Sequence, residues 1–350
     1  MERQDYGMAF MLQYENVAWY EEGRVRILDR RIYPTRTEFV ECTRHEEVAQ
    51  AIADMVTQSA GPYTAAGMGM ALAAYECRGL GEKEQIAYLE QASVTLSTAR
   101  PTTRIRMAQI TDGCVEAGKK ALQEGASNAV DAIFQRTLDS LNRRYSRMDT
   151  VAAHLVSLFP QHGTVMTQCF GETIVGTMLR KIKEVGKEIK LFVPETRPYF
   201  QGARLTASCA IDQGFDTTVI TDNMPAAVMA EKGVDVFTSA ADVITMDGYV
   251  VNKVGTYQIA ISAKYHGIPY FVTGLPDKIW IRDVKIEERD PQEVLEARGV
   301  QNAKAGVKGY YPAFDKTPPH LVSGVVTDKG IYTPYNLNDY YTKGTVEQYY

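Results

Sequence analysis

Apolar and polar positions alternate near the start of the chain, in Val17-Ala18-Trp19-Tyr20 and in Arg24-Val25-Arg26-Ile27-Leu28-Asp29, on either side of Glu21-Glu22-Gly23. A period of two broken by a polar turn predicts a β-hairpin, a small N-terminal flap. The period becomes helical over residues 46–148, starting with Val48, Ala51, Ile52 and Met55 on one face. Gly61-Pro62, Gly79-Leu80-Gly81 and Arg100-Pro101-Thr102 punctuate these helices. After Phe159-Pro160, short β-branched runs alternate with amphipathic stretches. The runs are Thr164-Val165-Met166-Thr167, Ile189-Lys190-Leu191-Phe192-Val193, Thr217-Thr218-Val219-Ile220-Thr221, Val234-Asp235-Val236-Phe237 and Pro269-Tyr270-Phe271-Val272. Strand and helix in alternation predict parallel strands joined by crossover helices. The expected fold class is α/β: a mainly helical N-terminal domain with a small β flap over residues 1–147, then a Rossmann-like parallel-sheet domain over residues 148–350. The tyrosine-rich tail, residues 332–350, reads as a strand plus a packing arm.

Open α/β sheets bind ligands at the carboxyl ends of their strands. Thr167-Gln168-Cys169, Pro194-Glu195-Thr196-Arg197, Thr221-Asp222-Asn223 and Ser239-Ala240-Ala241-Asp242 all fall on that rim. Together they offer a thiol, carboxylates, an amide and a guanidinium, the groups needed to hold a polyhydroxylated ligand and move protons on it. Cys169 lies just before a predicted helix start, where backbone N–H groups favour a thiolate; a buried, inert cysteine is the alternative. Asp242 reads first as a helix cap or turn aspartate, the commoner role at such a place, and otherwise as an acid. Arg197 and Arg204 read as phosphate ligands or as ion pairs fixing a helix start. Asn252-Lys253-Val254-Gly255-Thr256 reads as a loop entering a helix, an anion site or an exposed turn.

Composition narrows the function classes. Net charge is −5 and no basic block of five or more residues occurs, which argues against a nucleic-acid partner. No long apolar run or signal-peptide core is found, so no membrane partner and a cytoplasmic location are expected. The five cysteines are scattered without a C-x-x-C pair and the five histidines without i,i+4 pairing, so neither disulfides nor a metal is expected. No G-x-G-x-x-G follows a strand, and no cofactor is expected.

Longer strings carry a resemblance. Glu195-Thr196-Arg197-Pro198, Gln201-Gly202-Ala203-Arg204-Leu205-Thr206-Ala207, Ile220-Thr221-Asp222-Asn223-Met224, Asn252-Lys253-Val254-Gly255-Thr256-Tyr257-Gln258 and Tyr265-His266-Gly267-Ile268-Pro269 stand in fixed order. Ile286-Glu287-Glu288-Arg289-Asp290, Pro312-Ala313-Phe314-Asp315-Lys316-Thr317-Pro318 and, earlier, Ile27-Leu28-Asp29-Arg30-Arg31 and Thr98-Ala99-Arg100-Pro101-Thr102 extend the match to nearly the whole chain. These segments resemble the S-methyl-5-thioribose-1-phosphate isomerase family. That family is related to the regulatory subunits of the translation-initiation guanine-nucleotide exchange complex and to ribose-1,5-bisphosphate isomerases.

The resemblance implies a cofactor-free aldose–ketose isomerase of methionine salvage, acting on 5-methylthioribose 1-phosphate or a close 5-modified relative such as 5-deoxyribose 1-phosphate. Another pentose phosphate such as ribose 1,5-bisphosphate, or a non-catalytic sugar-phosphate sensor, is the alternative. Cys169 matches the catalytic cysteine and Asp242 the proton donor, kept protonated by burial. Gln201, Asn252 and Lys253 match substrate contacts, Arg100 a phosphate contact, and Gln58, Ser59 and Ala60 the phosphate loop. A homodimer is implied as well. Three places depart from the family pattern: Gln58-Ser59-Ala60-Gly61-Pro62 where the resemblance implies Arg-Gly-Ala-Pro, Gln168-Cys169-Phe170 for His-Cys-Asn, and Ala240-Ala241-Asp242 for Gly-Ala-Asp.

Overall fold

Glu22 at φ 47° and Gly23 at φ 81° form the first turn, and positive φ at both central residues is the geometry that matches the twist of a tight hairpin. The computed structural model, which describes residues 3–100 and 104–343, pairs β1 (Ala18–Glu21) with β2 (Arg24–Leu28) across it. A short α1 (Tyr14–Val17) precedes the hairpin, and β3 (Phe39–Cys42) adds a third antiparallel strand beside β2. Chain contacts separate two compact units, one holding the described residues up to Ser146 and the other beginning at Arg147.

In the first unit α2 (His45–Ala53), α3 (Gly61–Cys77), α4 (Glu82–Ser97) and α5 (Arg104–Gln123) follow the sheet, and α6 (Val130–Ser157) leads out of it. Pro62 stands in the first turn of α3, where its missing N–H costs nothing. Every residue of α3 from Gly61 to Ala74 is buried, so this helix is apolar around its circumference and forms the unit's centre. Its glycines permit close approach: a Cβ on Gly67 would stand 2.6 Å from Thr137 Cγ2 of α6. Pro101 and Thr102, quoted in the resemblance, lie outside the described residues.

The second unit is built on β4 (His162–Met166), α7 (Glu172–Glu184), β5 (Glu188–Pro194), α8 (Ala207–Asp212), β6 (Thr217–Ile220), α9 (Pro225–Glu231), β7 (Val236–Ala240), β8 (Val243–Ile244), β9 (Val250–Lys253), α10 (Thr256–Tyr265) and β10 (Tyr270–Thr273). Beyond these come α11 (Gln292–Leu295), the small hairpin β11 (Glu296–Ala297) and β12 (Val300–Gln301), then β13 (Phe314–Thr317), β14 (Gly324–Thr327), β15 (Gly330–Tyr332) and α12 (Asn338–Thr342). The main sheet has the order β15-β14-β10-β7-β4-β5-β6. All its pairs are parallel except β14 with the edge strand β15. Burial on both faces explains the near-continuous apolar runs that marked these strands. Phe237 and Tyr270 stack at 4.4 Å within a core that includes Met166, Val272 and Val325; fully burying a side chain of this kind stabilises by about 1.5–3 kcal/mol.

One element departs from expectation. Asn252 and Lys253 belong to strand β9 rather than to a loop. That strand lies between β8 and β13 in a separate antiparallel sheet, opposing Asn252 to Asp315 and Lys253 to Phe314. In the tail, Tyr332 ends β15 and a short helix follows; residues 344–350 lie outside the described residues. Among the described residues no helix is long and apolar enough to cross a membrane.

Candidate active site

Cys169 follows β4 at φ 59°, a left-handed conformation that non-glycine residues seldom adopt. Its backbone is held on both sides: its N–H donates to Thr196 Oγ1 at 3.2 Å, and its carbonyl accepts from the Thr206 hydroxyl. Thr196 (φ 64°) and Phe200 (φ 56°) share the strained region. Thr196 is β-branched, which makes that conformation costlier still. Strain of this kind persists only where surrounding contacts over-determine it. Asp222 supplies part of that constraint, accepting from Thr196 N at 2.8 Å and Arg197 N at 2.7 Å.

All five cysteines are thiols, and four of them are fully buried; Cys169 alone keeps some exposure. Burial nonetheless pushes its thiol up to about 11, opposed chiefly by the charge of Lys253 and reinforced by that of Asp242. The expected stabilisation of a thiolate ahead of α7 is therefore overturned. Desolvation outweighs the backbone dipoles, and the first turn of α7 opens with the buried acid Glu172.

Lys253 is a cation of this rim. It is 4% exposed, with Nζ 3.3 Å from Tyr311 Oη and lying over the Tyr311 and Phe314 rings at 5.6 and 5.1 Å. Burial pulls its ammonium down to about 8, against the charges of Cys169 and Asp242. Asn252, also buried, donates to Thr256 Oγ1 at 3.0 Å. Gln201 stands at the carboxyl end of β5 because Gly202 packs on that strand: a Cβ there would lie 1.8 Å from Pro194 O. Gln201 Oε1 is buried without a hydrogen-bond partner. Asp242 follows β7, its N–H donating to Val251 O at 2.9 Å, but its side chain is exposed. The burial expected at Asp242 is not found, since the residue lies in the link between β7 and β8.

The arginines near the rim are engaged with backbone. Arg197 donates to the carbonyls of Glu293, Val294 and Glu296 at 3.1, 3.3 and 2.8 Å, around the end of α11. Arg204 donates to Tyr199 O. In the first unit, Gln58 is buried with neither amide atom hydrogen-bonded, while Ser59 holds φ 59°. The completely buried Arg30 donates to Gln58 O at 2.9 Å, and Arg144 reaches Ala60 O at 3.4 Å. Two arginines thus stand beside the Gln58-Ser59-Ala60 loop. Arg100 is half-buried at the last described position before α5. Also in this unit, ligand atoms of His45, Glu46 and Glu76 lie within 4.8 Å of one another. His45 Nδ1 meets Glu76 at 3.1 Å, Arg44 meets Glu46 at 2.9 Å and Tyr88 donates to Glu76 at 2.6 Å, an ion-pair network complete as it stands.

The sequence pattern of the Initiation factor 2 subunit family matches residues 59–334. This chain belongs to that family. It is 36% identical to a methylthioribose-1-phosphate isomerase of Chloroflexus aurantiacus, over 90% of this chain and 94% of that one. A Roseiflexus castenholzii protein of the same name is 34% identical, with the same coverage. Among solved structures, a 5-methylthioribose 1-phosphate isomerase from Pyrococcus horikoshii superposes with a TM-score of 0.80 at 30% identity, covering 94% of this chain and 96% of that one. A translation initiation factor eIF-2B, subunit delta, from A. fulgidus also reaches 0.80, at 32% identity and 91% and 96% coverage.

Within this family fold the rim contains groups to which no role was given from sequence. Arg289 Nε donates to Glu287 at 2.8 Å, and its guanidinium lies over the Tyr199 and Phe314 rings at 5.8 and 5.7 Å. Its burial is outweighed by the Glu287 carboxylate, so its pKa rises and it remains a permanent cation acting on Cys169 and Lys253. Asp315 Oδ2 accepts from Gly255 N at 2.7 Å and Tyr257 N at 3.1 Å, closing the start of α10. The Glu287–Arg289 spacing of two on an extended chain was the available signal, since it puts both side chains on one side.

Proposed function

We propose that this chain is an aldose–ketose isomerase that converts 5-methylthioribose 1-phosphate, or a close 5-modified pentose 1-phosphate, to the ketose 1-phosphate in methionine salvage. The observation that carries this reading is the thiol of Cys169 and the ammonium of Lys253 interacting at one strand-end rim with Asp242, in a chain 36% identical to a relative of that name. An aldose 1-phosphate has its anomeric oxygen esterified and cannot open spontaneously to an aldehyde, so the enzyme must break the ring.

In the proposed reaction Asp242 donates a proton to the ring oxygen as its bond to C1 breaks. Hydrogen moves with its electron pair from C2 to C1, the C2 hydroxyl becomes the carbonyl, and the hydroxyl proton restores Asp242. Near neutral pH Cys169 is a thiol, given its pKa of about 11; it acts as a hydrogen-bond donor to the reacting oxygens rather than as a base. This favours direct transfer over an enediol formed by proton abstraction. Lys253 and Asn252 hold the phosphate end, and Gln201 holds a sugar hydroxyl. We infer a homodimer in the cytoplasm, needing neither cofactor nor metal.

Purified protein with 5-methylthioribose 1-phosphate is expected to produce ketose signals by NMR. Run in deuterium oxide, the product should carry protium at C1; solvent deuterium there would refute direct transfer. Tight binding without turnover would instead favour a sensor.

A further inference from the structure

The segment over residues 284–314 brings a second cation to Lys253. Three bonds set its course: Lys316 Nζ donates to Val284 O at 2.9 Å, Ala313 N to Glu287 O at 2.8 Å, and Arg289 N to Tyr311 O at 3.0 Å. The segment runs into β13, where Phe314 opposes Lys253 of β9. Arg289 and Lys253 therefore share their surroundings. Both lie over the Phe314 ring, at 5.7 and 5.1 Å from its centroid. Both also bear on Tyr311: its hydroxyl stands 3.3 Å from Lys253 Nζ, and its phenol, pushed up by burial, is opposed by the Arg289 charge. Neither cation is well hydrated, since Lys253 is 4% exposed and the Arg289 side chain 11%.

Aromatic faces lower the cost of desolvating each cation but leave their mutual repulsion in place. Arg289 keeps its charge at any pH the fold survives, so Lys253 is the group that yields. The acids nearby are partly committed. Glu287 accepts from Arg289 Nε at 2.8 Å, Glu293 of α11 from Tyr199 Oη at 3.1 Å, and Asp315 of β13 from the N–H groups of Gly255 and Tyr257. Asp242 behind β7 and Cys169 behind β4 complete the groups that act on Lys253. We propose that Arg289 is a positioning residue that couples substrate binding to proton uptake: set against Lys253 at Tyr311 and Phe314, it opposes the second positive charge until a phosphate dianion joins them. The proposal rests on the isomerase reading, which gives Lys253 the phosphate end. The dianion offsets the repulsion and adds its own attraction, so the ammonium form is favoured in the complex. The proton comes from solvent onto Nζ as the sugar phosphate binds and returns to solvent when the ketose phosphate leaves.

The test reads pH profiles of the full chain with 5-methylthioribose 1-phosphate. kcat/KM, which reports the free enzyme, is expected to fall about tenfold per pH unit above about 8, while kcat, which reports the complex, shows no limb there. Calorimetry with a pre-equilibrated aldose–ketose mixture, in buffers of different ionisation heat, should count about 0.7 proton taken up per site at a pH of about 8.5. Arg289→Gln should lower kcat/KM at every pH, because a cation is lost, and should also move the limb up by about one unit and cut the uptake to about 0.2 proton. Glu287→Gln removes the acid that offsets Arg289 and should move the limb down. A residue that only braced the segment would lower kcat/KM and leave limb and proton count unmoved; that result overturns the proposal with the isomerase intact, as does binding by the unmodified chain without uptake. If Arg289→Gln yields no folded protein, the proton count of the unmodified chain and the Glu287→Gln limb decide. Uptake on binding without turnover supports the cation pair and overturns the isomerase reading, and absence of both binding and turnover overturns the two together.

Discussion

Burial acts on Cys169 and Lys253 in opposite senses, holding the thiol protonated and easing the proton off the amine. The consequence for stability has a definite sign. From about 8 up to the ordinary lysine value, the unfolded chain holds a proton on Lys253 that the folded chain has lost. Stability therefore rises with pH through that window. Cys169 does the reverse: from the ordinary thiol value up to about 11 the folded chain keeps the proton, and stability falls as pH rises. The windows overlap, so the rise is confined to the lower part of the Lys253 window. Urea unfolding should show the rise extended in Cys169→Ser and abolished in Lys253→Met. For activity, Asp242→Asn is expected to lower kcat by about 10²- to 10⁴-fold, the usual worth of a positioned proton-transfer group, and Cys169→Ala, which removes a hydrogen-bond donor, by about 10²- to 10³-fold. Normal turnover by the double variant would sink the mechanism. Cys169 and Asp242 could be singled out as rim residues from their strand ends alone. Their environments could not, because the exposure of Asp242 and the desolvation of Cys169 depend on neighbours far away in the chain.

The turn between β9 and α10 depends on a partner distant in sequence. Gly255 sits at φ 107°, where a Cβ would also stand 3.0 Å from Gln168 Nε2. Gly255→Ala is expected to cost about 1–3 kcal/mol in denaturant unfolding and to raise KM by displacing Lys253; an unchanged Cm would contradict this account. Burial pushes Asp315 up to about 6, against the two N–H donors that bind it. From the ordinary aspartate value up to about 6 the folded chain holds the extra proton, so stability falls as pH rises there. Asp315→Asn should flatten that slope. The parallel strands were legible because each is a β-branched run buried on both faces. The β8-β9-β13 sheet was not: its strands are short, and the Gly255–Asp315 bond that anchors it spans 60 residues. Pattern within a window of a dozen residues carries no information about such a partner.

At the scale of the molecule, one fold serves relatives with different names, since the isomerase from Pyrococcus horikoshii and the initiation factor subunit from A. fulgidus both superpose at a TM-score of 0.80. Function is therefore decided at the site. The proposed homodimer predicts twice the chain mass by light scattering, and a clean monomer at micromolar concentration would contradict it. By itself the sequence determined the fold class, the strand-end rim and, through its long ordered strings, the family. These follow from periodicity and from residue identity, which are local. Only the tertiary structure decided that Cys169 is a desolvated thiol, that Asp242 stands open, that Lys253 lies on a strand among aromatic rings, and that Arg289 shares the Phe314 ring with it. Burial and field are sums over neighbours brought together by folding, and no single stretch of chain contains them.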